Sequence, residues 1–534
     1  MRVAQDGTSA VSPGPPPTGS AFGRVRPPRK GEGKAGGDSA GSPALESAMV
    51  STPVTTLGRL FPDAPTDLIA LPLAGLTDDS RKVGDGFAFV AVPGTKANGA
   101  AFIADALARG ATAIVGEVER PPTLFPEVAY VRVPDARRAL SLAAARLHPG
   151  QPATVVAATG TSGKSSVADF TRQLFEALGH ESASLGTLGI VSSRSAAYGS
   201  LTTPDPITLH RALDDLAASG VTHLAMEASS HGISQRRLDG VRLAAAAFTN
   251  LGRDHLDYHA TVEDYLTAKL RLFDELLSPG LPAIINADEP YADRVVAAAA
   301  LRRQRVITTG RGGRDIRLVE VIPDGFGQRL TIETFGARHA VLLPLAGGFQ
   351  VDNALVAAGV AIALGEDTSA VIGGLGRLAG VPGRLERVGE INGALAIVDY
   401  AHKPEALAHV LDSLRPFARL KLVCVFGCGG DRDRGKRPIM GAIAAEKADL
   451  VIVTDDNPRT EDPRAIRAEI LAAAPDALEI PDRAQAIHFA VSQLLPGDVL
   501  VVAGKGHETG QIVGDRTLPF SDHEVVRAAI AELS

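Results

Sequence analysis

The chain has 534 residues, of which 45% are hydrophobic and 22% charged, and its formal net charge is −7. This length predicts about three domains. The acidic balance argues against a nucleic-acid partner, because a phosphate-backbone binder needs a clustered basic surface. No apolar run reaches the roughly eighteen residues of a membrane span, so no membrane association is expected. The only two cysteines, Cys424 and Cys428, exclude a disulfide framework and indicate a reducing, cytoplasmic location.

Residues 1–48 are rich in Pro, Gly, Ser, Arg and Lys and show no hydrophobic periodicity. Such a composition buries too little apolar surface to offset the entropy of ordering, so it predicts a disordered tail. The segment also lacks the apolar stretch of a signal peptide. Met49 directly precedes the first sequence with a folded pattern, so an inert extension or an alternative start is favoured over a functional tail.

Residues 49–150 predict a small α/β domain in which short β-type runs alternate with helical patterns. The breaker His148–Pro152 then predicts a linker to the second domain. The predicted strands are Gly86–Val92, Ala111–Gly116 and Val128–Val133, with a helix at Ala101–Arg109.

Residues 151–381 predict a central domain with a largely parallel sheet, because continuous apolar strands alternate with helices. Residues 316–344 instead alternate polar and apolar side chains around Pro323–Gly325, which predicts a β-hairpin insertion. The predicted strands are Ala153–Ala158, His223–Glu227, Ala244–Thr249 and Ala283–Asn286.

Residues 382–534 predict a third, Rossmann-like α/β domain whose strands follow the turn segment Gly380–Gly383. Its predicted strands are Leu395–Asp399, Leu420–Phe426, Leu450–Thr454 and Val499–Ala503.

A glycine-rich loop, Ala158–Ser166, follows the first central strand and opens a helix. Backbone amides of such a loop and the helix N-terminus can hold phosphates. Lys164 can reach the outer phosphates and Ser165 can ligate Mg²⁺. Ala158 stands where the strict motif has Gly, so the match is to the shorter G-x-x-G-K-S form. The residues predicted to bind ATP through this loop are Gly160, Thr161, Ser162, Gly163, Lys164, Ser165 and Ser166.

Further segments along the chain carry unusual polar motifs in a fixed order. They are Thr202–Pro204, Glu227–Gly232, Asn250–Asp257, Tyr265–Lys269, Asp399–His402, Gly429–Asp433, Asp456–Arg459 and Gly504–Glu508. Together with the short phosphate loop, this ordered set resembles the Mur ligase family over essentially everything after the tail. The resemblance implies three α/β domains and an ATP- and Mg²⁺-dependent enzyme of peptidoglycan synthesis that forms an amide bond through an acyl phosphate.

The resemblance also implies metal ligands. Glu227 ends a predicted strand, where its carboxylate would hold the Mg²⁺ that bridges the ATP phosphates, and His255 would bind a second metal. Lys269 corresponds to a lysine that the family carbamylates, which converts a cation into a carboxylate for the second metal. Because carbamylation requires a neutral amine, a site shielded from water would favour it. The alternative for Glu227 is a helix-capping or loop carboxylate, for His255 a hydrogen-bonded loop histidine, and for Lys269 a solvated lysine on a helix.

The remaining nucleotide contacts come from two places. Asn353 lies in a segment that resembles the adenine side of the family, although Gln350 stands where the family usually has Asn, and a simple helix start is the alternative there. Arg384 and Asp399 resemble phosphate and ribose contacts delivered by the third domain. His402 and Lys403 are equally compatible with the site or the surface.

The nucleotide-sugar substrate is expected to contact the first two domains. The uridine side would use Ser80, Thr95, Lys96 and Ala97, and the muramoyl-peptide side Thr202, Thr203, Ser229, Gln235, Arg237 and Lys269. Ordinary turn chemistry is the alternative interpretation of these Gly-, Asn- and Thr-rich loops.

Arg459 indicates which amino acid is added. Its guanidinium suits a carboxylate, and diaminopimelate has a distal carboxylate whereas lysine has none. In the family, Arg at this position accompanies diaminopimelate addition, with Glu508 suited to the distal ammonium. The predicted pocket comprises Arg432, Asp456, Asn457, Pro458, Arg459, Gly504 and Glu508.

The expected partners are therefore ATP, a UDP-muramoyl-dipeptide and meso-diaminopimelate, bound by a monomer whose domains close around them. Three alternatives remain open: a lysine-adding ligase, a folylpolyglutamate synthetase, and a P-loop NTPase switch that turns over nucleotide without an amino acid. The uridine-side segments and Asp456–Arg459 argue against the second.

Overall fold

The computed structural model describes residues 55–94, 98–122, 124–193, 196–197, 201–252, 254 and 258–533, with residues 196–197 described by their backbone. The predicted tail at residues 1–48 therefore lies outside the described residues. Three larger β-sheets with their helices follow one another along the described part of the chain.

The first sheet has four parallel strands in sequential order. A short antiparallel pair precedes it, and two 3₁₀ turns cover Ser80–Lys82 and Gly99–Phe102. The elements are β1 (Thr55–Thr56), α1 (Leu57–Leu60), β2 (Pro72–Leu73), β3 (Gly75–Thr77), β4 (Phe87–Val90), α2 (Ile103–Ala108), β5 (Ala113–Gly116), β6 (Ala129–Arg132) and α3 (Ala136–Leu147). The small α/β fold predicted for this region is confirmed.

The central sheet has eleven strands in the order β10-β9-β8-β11-β7-β12-β13-β14-β15-β16-β17. The strands are β7 (Thr154–Thr159), β8 (Ser182–Gly186), β9 (Gly189–Ser192), β10 (Ala196–Ala197), β11 (His223–Glu227), β12 (Ala245–Phe248), β13 (Pro282–Asn286), β14 (Arg305–Gly310), β15 (Ile316–Asp324), β16 (Gly327–Thr334) and β17 (Ala337–Leu343). The helices are α4 (Lys164–Ala177), α5 (Pro206–Ala218), α6 (Ser230–Ser234), α7 (Val262–Arg271), α8 (Ala292–Leu301), α9 (Gly348–Ala363) and α10 (Thr368–Leu375).

The central parallel strands of this sheet, such as β12 and β13, are buried on both faces, as their continuous apolar runs predicted. Val156 and Ala158 of β7 belong to one apolar core, whereas Val155 and Ala157 belong to the core on the opposite face. Because side chains alternate along a strand, a strand buried on both faces needs an unbroken apolar run.

Residues 316–344 fold differently from an insertion. The predicted hairpin exists, since β15 and β16 pair antiparallel from Asp324–Gly327 onward, and β17 adds a third strand. However, Thr309 of β14 pairs in parallel with Ile316 of β15, so this meander extends the edge of the central sheet. The alternating pattern predicted the strands but not their attachment to β14, because alternation shows which face of a strand is buried and not which strand it pairs with.

The third sheet has the order β18-β19-β23-β20-β21-β22 and is parallel except for β18. Its strands are β18 (Glu386–Ile391), β19 (Ala394–Asp399), β20 (Leu422–Phe426), β21 (Leu450–Val453), β22 (Leu478–Glu479) and β23 (Val499–Ala503), followed by the separate hairpin β24 (Gly510–Val513) and β25 (Arg516–Pro519). Its helices are α11 (Pro404–Leu414), α12 (Lys436–Lys447), α13 (Pro463–Leu471), α14 (Arg483–Ser492) and α15 (Asp522–Leu533). None of the described helices is long and apolar enough to cross a membrane.

Candidate active site

The loop between β7 and α4 has a backbone that only glycine accommodates at two points. Gly160 has φ 154°, and a Cβ there would lie 1.8 Å from Thr249 Oγ1. Gly163 has φ 81° and precedes the first residue of α4, where a Cβ would lie 2.2 Å from Asn353 Oδ1. The loop is therefore packed tightly and leaves its amides at the N-terminus of α4, the arrangement that binds phosphate.

Residues that follow β12 hold the phosphate loop in place. The Ser162 amide donates to Asn250 Oδ1 (2.8 Å), and the Thr249 hydroxyl donates to the Ser162 carbonyl (2.6 Å). Asn250 and Thr249 thus position the loop, a role that the sequence did not reveal because the contact joins residues almost ninety positions apart.

Glu227 lies at the end of β11, beside the phosphate loop. Its carboxylate accepts hydrogen bonds from the Ser165 hydroxyl (2.8 Å) and the Thr187 amide (2.7 Å), and it is almost completely buried. Gly186 makes room for it, since a Cβ there would lie 2.1 Å from Glu227 Oε1. The predicted metal ligands Ser165 and Glu227 thus converge, whereas their support by Gly186 and Thr187 was missed.

Four of the residues predicted to contact the muramoyl-peptide form one hydrogen-bond network next to Glu227. The Thr203 hydroxyl donates to the Glu227 carbonyl (2.9 Å) and accepts from the Ser229 amide (3.0 Å). Arg237 donates to the Thr203 carbonyl (2.6 Å) and to Gln235 Oε1 (2.8 Å). Thr202 is also nearby, because its hydroxyl is 3.0 Å from that of Thr187.

Lys269 lies on α7, which continues as a π-helix over Leu272–Leu276. Only 1% of the residue is exposed, and its Nζ donates to the Gly160 carbonyl (2.7 Å) while facing the Tyr265 ring at 4.3 Å. Burial, with the nearby charge of Lys164, holds the Lys269 pKa well below its ordinary value. The solvated-helix alternative is therefore wrong for Lys269, since the amine is buried and burial disfavours its charged form.

Lys164 shares an acceptor with Lys269. Its Nζ donates to the carbonyls of Gly160 (3.0 Å) and Thr161 (2.9 Å), and burial lowers its pKa. Two amines thus donate to one loop carbonyl, so the site presents amine N–H donors close to the place where phosphates would lie.

Polar contacts tie the segment that enters the third domain to the start of α9. Asn353 donates to Gln350 Oε1 (3.2 Å), and Gln350 donates to the Arg384 carbonyl (3.2 Å). Gln350, the departure from the family pattern, therefore links α9 to the interdomain segment.

Asp399 accepts hydrogen bonds from the amides of Leu385 and Ala401 (2.7 Å each), and its burial raises its pKa. The Arg384 guanidinium lies 4.9 Å from the Tyr400 ring centre.

A cleft of about 930 Å³ lies between Asp254 of the central domain and the strand ends of the third sheet. Across it, Lys403 Nζ pairs with Asp254 Oδ1 at 2.5 Å. The cleft is lined by six of the seven residues predicted to bind the amino acid, all except Pro458: Arg432, Asp456, Asn457, Arg459, Gly504 and Glu508. His402 and Lys403 also line it, as does Lys436, which was missed and donates to the His402 carbonyl (2.6 Å).

A fully buried lysine beneath the cleft wall orders two of these residues. Lys505 Nζ donates to Asn457 Oδ1 (2.9 Å) and to Glu508 Oε2 (3.2 Å), and Asn457 Nδ2 donates to the same Glu508 oxygen (3.0 Å). Lys505 belongs to the Gly504–Glu508 motif, so the sequence indicated this segment. The motif did not show that the Lys505 side chain is the one that points into the protein.

Arg459 adopts a left-handed backbone with φ 52°, fixed by hydrogen bonds with the β24–β25 hairpin. Its guanidinium donates to the Gly430 carbonyl (2.9 Å) and is only partly exposed. The Arg459 side chain is therefore held against the loop that contains Gly430.

The uridine-side prediction falls only partly on described residues. Ser80 is buried, and its hydrogen bond lowers the pKa of Asp105. Thr95, Lys96, Ala97 and the predicted metal ligand His255 lie outside the described residues.

Comparison with known proteins decides the family. A diaminopimelate ligase of Bradyrhizobium diazoefficiens, UDP-N-acetylmuramoyl-L-alanyl-D-glutamate–2,6-diaminopimelate ligase, is 60% identical over 466 residues, which cover 86% of this chain and 96% of that protein. Three family models also match in order: the Mur ligase family catalytic domain (residues 72–148), the Mur ligase middle domain (158–361) and the Mur ligase glutamate ligase domain (383–506). The chain belongs to the Mur ligase family.

Solved structures agree with this Mur ligase fold. A UDP-N-acetylmuramoyl-L-alanyl-D-glutamate–2,6-diaminopimelate ligase is 34% identical, with a TM-score of 0.68 over 90% of this chain and 99% of that chain. The MurF ligase of Thermotoga maritima, solved in complex with ADP, is 21% identical, with a TM-score of 0.56 over 86% of this chain and 97% of that chain, and shares the fold. The three-domain α/β architecture predicted from the sequence is confirmed.

Proposed function

We propose that this Mur ligase uses ATP to join meso-2,6-diaminopimelate to UDP-N-acetylmuramoyl-L-alanyl-D-glutamate. The observation that carries the proposal is the interdomain cleft, which gathers Arg432, Asp456, Asn457, Arg459, Gly504 and Glu508 into one wall. The relative in Bradyrhizobium diazoefficiens is named for this activity, and the match covers 96% of its length. We further propose that the enzyme acts as a cytoplasmic monomer.

The site suits activation of a carboxylate by phosphate transfer. The substrate carboxylate attacks the γ-phosphorus of ATP and releases ADP, which gives an acyl phosphate. The amine of diaminopimelate then attacks the acyl carbon, loses a proton and expels inorganic phosphate. Since every reactant except the amine is anionic, Lys164 and the loop amides stabilise the transferring phosphoryl group.

The oxygen ligands around the phosphate loop fit Mg²⁺. Ser165 Oγ and Glu227 Oε1 lie 2.8 Å apart, and both are hard oxygen donors at a loop that would present ATP phosphates. A carbamate on Lys269 and the side chain of His255 would hold a second ion. Bound Mg²⁺ supplies charge neutralisation between the two anionic reactants.

The cleft would recognise both charged groups at the distal end of diaminopimelate. Arg459 would pair with the distal carboxylate, and Glu508 would pair with the distal ammonium. Lys505 and Asn457 both donate to Glu508 Oε2, so the carboxylate is held in one orientation before the ligand arrives. Such preorganisation lowers the entropy cost of binding.

Phosphate release from the full chain tests the function. The assay contains ATP, Mg²⁺ and the UDP-muramoyl-dipeptide, with meso-diaminopimelate, lysine, glutamate or no amino acid. We expect rapid release only with diaminopimelate, accompanied by a new UDP-muramoyl-tripeptide. A preference for lysine would identify a lysine-adding ligase, and equal release without an amino acid would identify a nucleotide switch.

A further inference from the structure

Three potential metal ligands meet at the end of the central domain remote from the phosphate loop. His180 follows α4, His223 is the first residue of β11, and Glu366 follows α9. Their ligand atoms all lie within 4.8 Å of one another, and each residue is partly buried. None of the three contributes to the site described above.

The cluster is held in a defined arrangement. His180 Nε2 lies 2.8 Å from Glu366 Oε1, and the two imidazole rings are 3.9 Å apart with an interplanar angle of 34°. The Thr222 hydroxyl shares a hydrogen bond with His223 Nδ1 (2.9 Å), which leaves Nε2 of that ring for an ion. The buried Phe175 ring lies 4.6 Å from His223 and covers one side.

We propose that His180, His223 and Glu366 bind a divalent transition-metal ion of the Zn²⁺ type. Two imidazole nitrogens and one carboxylate oxygen form a ligand set that Zn²⁺ accepts, with water as the fourth ligand, whereas Mg²⁺ prefers oxygen alone. Zn²⁺ bonds of about 2.0–2.2 Å place tetrahedral ligand atoms roughly 3.4 Å apart, so small side-chain rotations suffice.

The position of the cluster gives the ion a structural role. α4 begins at the phosphate loop, β11 ends at Glu227, and α9 carries Asn353 near its start. One ion would join the opposite ends of these three elements, about 20 Å from the loop along the fourteen-residue α4. Because the ion would bind the folded state alone, it would stabilise the central domain by an amount that grows with the logarithm of the free ion concentration once this exceeds Kd.

The test uses the metal-stripped full chain in saturating Mg²⁺, so that the predicted catalytic site is occupied. Zn²⁺ or Co²⁺ is then added. Equilibrium dialysis with metal analysis gives the number of ions bound, the Co²⁺ absorption spectrum reports their ligands, and the thermal midpoint reports stabilisation. The variants are His223→Gln and Glu366→Gln, the second of which keeps the side-chain shape. His488→Gln is the matched control, because it removes a histidine that pairs with Glu532 at the surface.

We expect the parent and His488→Gln to bind one more equivalent of Zn²⁺ than His223→Gln and Glu366→Gln, with a rise in thermal midpoint that both variants lose. Phosphate release in Mg²⁺ should be the same in all four proteins. Equal Zn²⁺ stoichiometry in the parent and either cluster variant would overturn the proposal.

Discussion

At the scale of single residues, substitution of Arg459 tests whether the enzyme selects diaminopimelate through its distal carboxylate. Removing one partner of a buried charge pair costs about 2–5 kcal/mol, so Arg459→Ala should lower kcat/KM for diaminopimelate by roughly thirty-fold or more. Lysine lacks the distal carboxylate, so its poor turnover should fall much less. The measurement is kcat/KM for both amino acids, and the diaminopimelate-to-lysine ratio must drop.

The backbone at Arg459 requires a second variant. Its φ of 52° is unfavourable for alanine but is tolerated by asparagine, so Arg459→Asn removes the guanidinium with less backbone strain. A loss common to both variants belongs to the side chain. An unchanged preference in both would contradict the pocket assignment and favour the lysine-adding alternative.

Substitution of Lys269 tests whether its carbamate is a ligand of the second metal ion. Its buried amine has a lowered pKa, so the neutral form that reacts with CO₂ is accessible at lower pH than in free lysine. Lys269→Ala should nearly abolish phosphate release, and added short carboxylic acids should restore part of it by supplying the missing carboxylate. An intact mass without carbamate in active, CO₂-equilibrated enzyme would contradict this assignment.

At the scale of secondary-structure elements, the turn between β8 and β9 supports Glu227. In Gly186→Ala the new methyl group would displace the Glu227 carboxylate and disturb its bonds from Ser165 and Thr187. A displacement of about 1 Å in a catalytic group can cost on the order of a hundred-fold in rate, so a kcat loss of that order is expected.

Gly373→Ala is the matched control for the Gly186 prediction. Gly373 lies inside α10, and beyond the neighbouring backbone of its own helix nothing lies within 4 Å of an added Cβ, so alanine should stabilise the helix by about 0.5–1 kcal/mol and leave kcat unchanged. Thermal unfolding separates the two effects. Parental kcat in Gly186→Ala would show that Glu227 tolerates a shift.

The elements themselves were largely predictable, because their signals are local. Apolar runs bounded by turn residues gave His223–Glu227 and Val499–Ala503 with the observed limits. Strands that lack such a run, such as β18 and the two-residue β22, were missed. The contacts of Thr187, Asn250 and Lys505 also escaped prediction, since they depend on side chains brought together from distant segments.

At the scale of the whole molecule, residues 1–48 should be dispensable. The described residues from 55 to 533 belong to one compact unit, and the first family model begins at residue 72. A chain beginning at Met49 should keep its soluble yield, thermal midpoint and phosphate release. A large loss of turnover or yield would show that the removed segment supports the enzyme.

The ion pair between Lys403 and Asp254 tests how the domains are coupled across the cleft. Both side chains are partly exposed, at 42% and 20%, so the pair should contribute only about 0–1 kcal/mol to stability. Its value would lie in orienting the third domain towards the phosphate loop. Lys403→Met should therefore leave the thermal midpoint nearly unchanged but lower kcat/KM for the amino acid by about five-fold, the factor that corresponds to 1 kcal/mol.

A second lysine provides the control for domain coupling. Lys447 pairs with Asp412 at 2.7 Å within the third domain, so Lys447→Met removes a comparable ion pair that does not span the cleft. Because salt screens partly exposed charges, added salt should also lower kcat/KM in the parent and in Lys447→Met more than in Lys403→Met. Equal losses of kcat/KM in the two variants would mean that the Lys403 pair has no special role in domain closure.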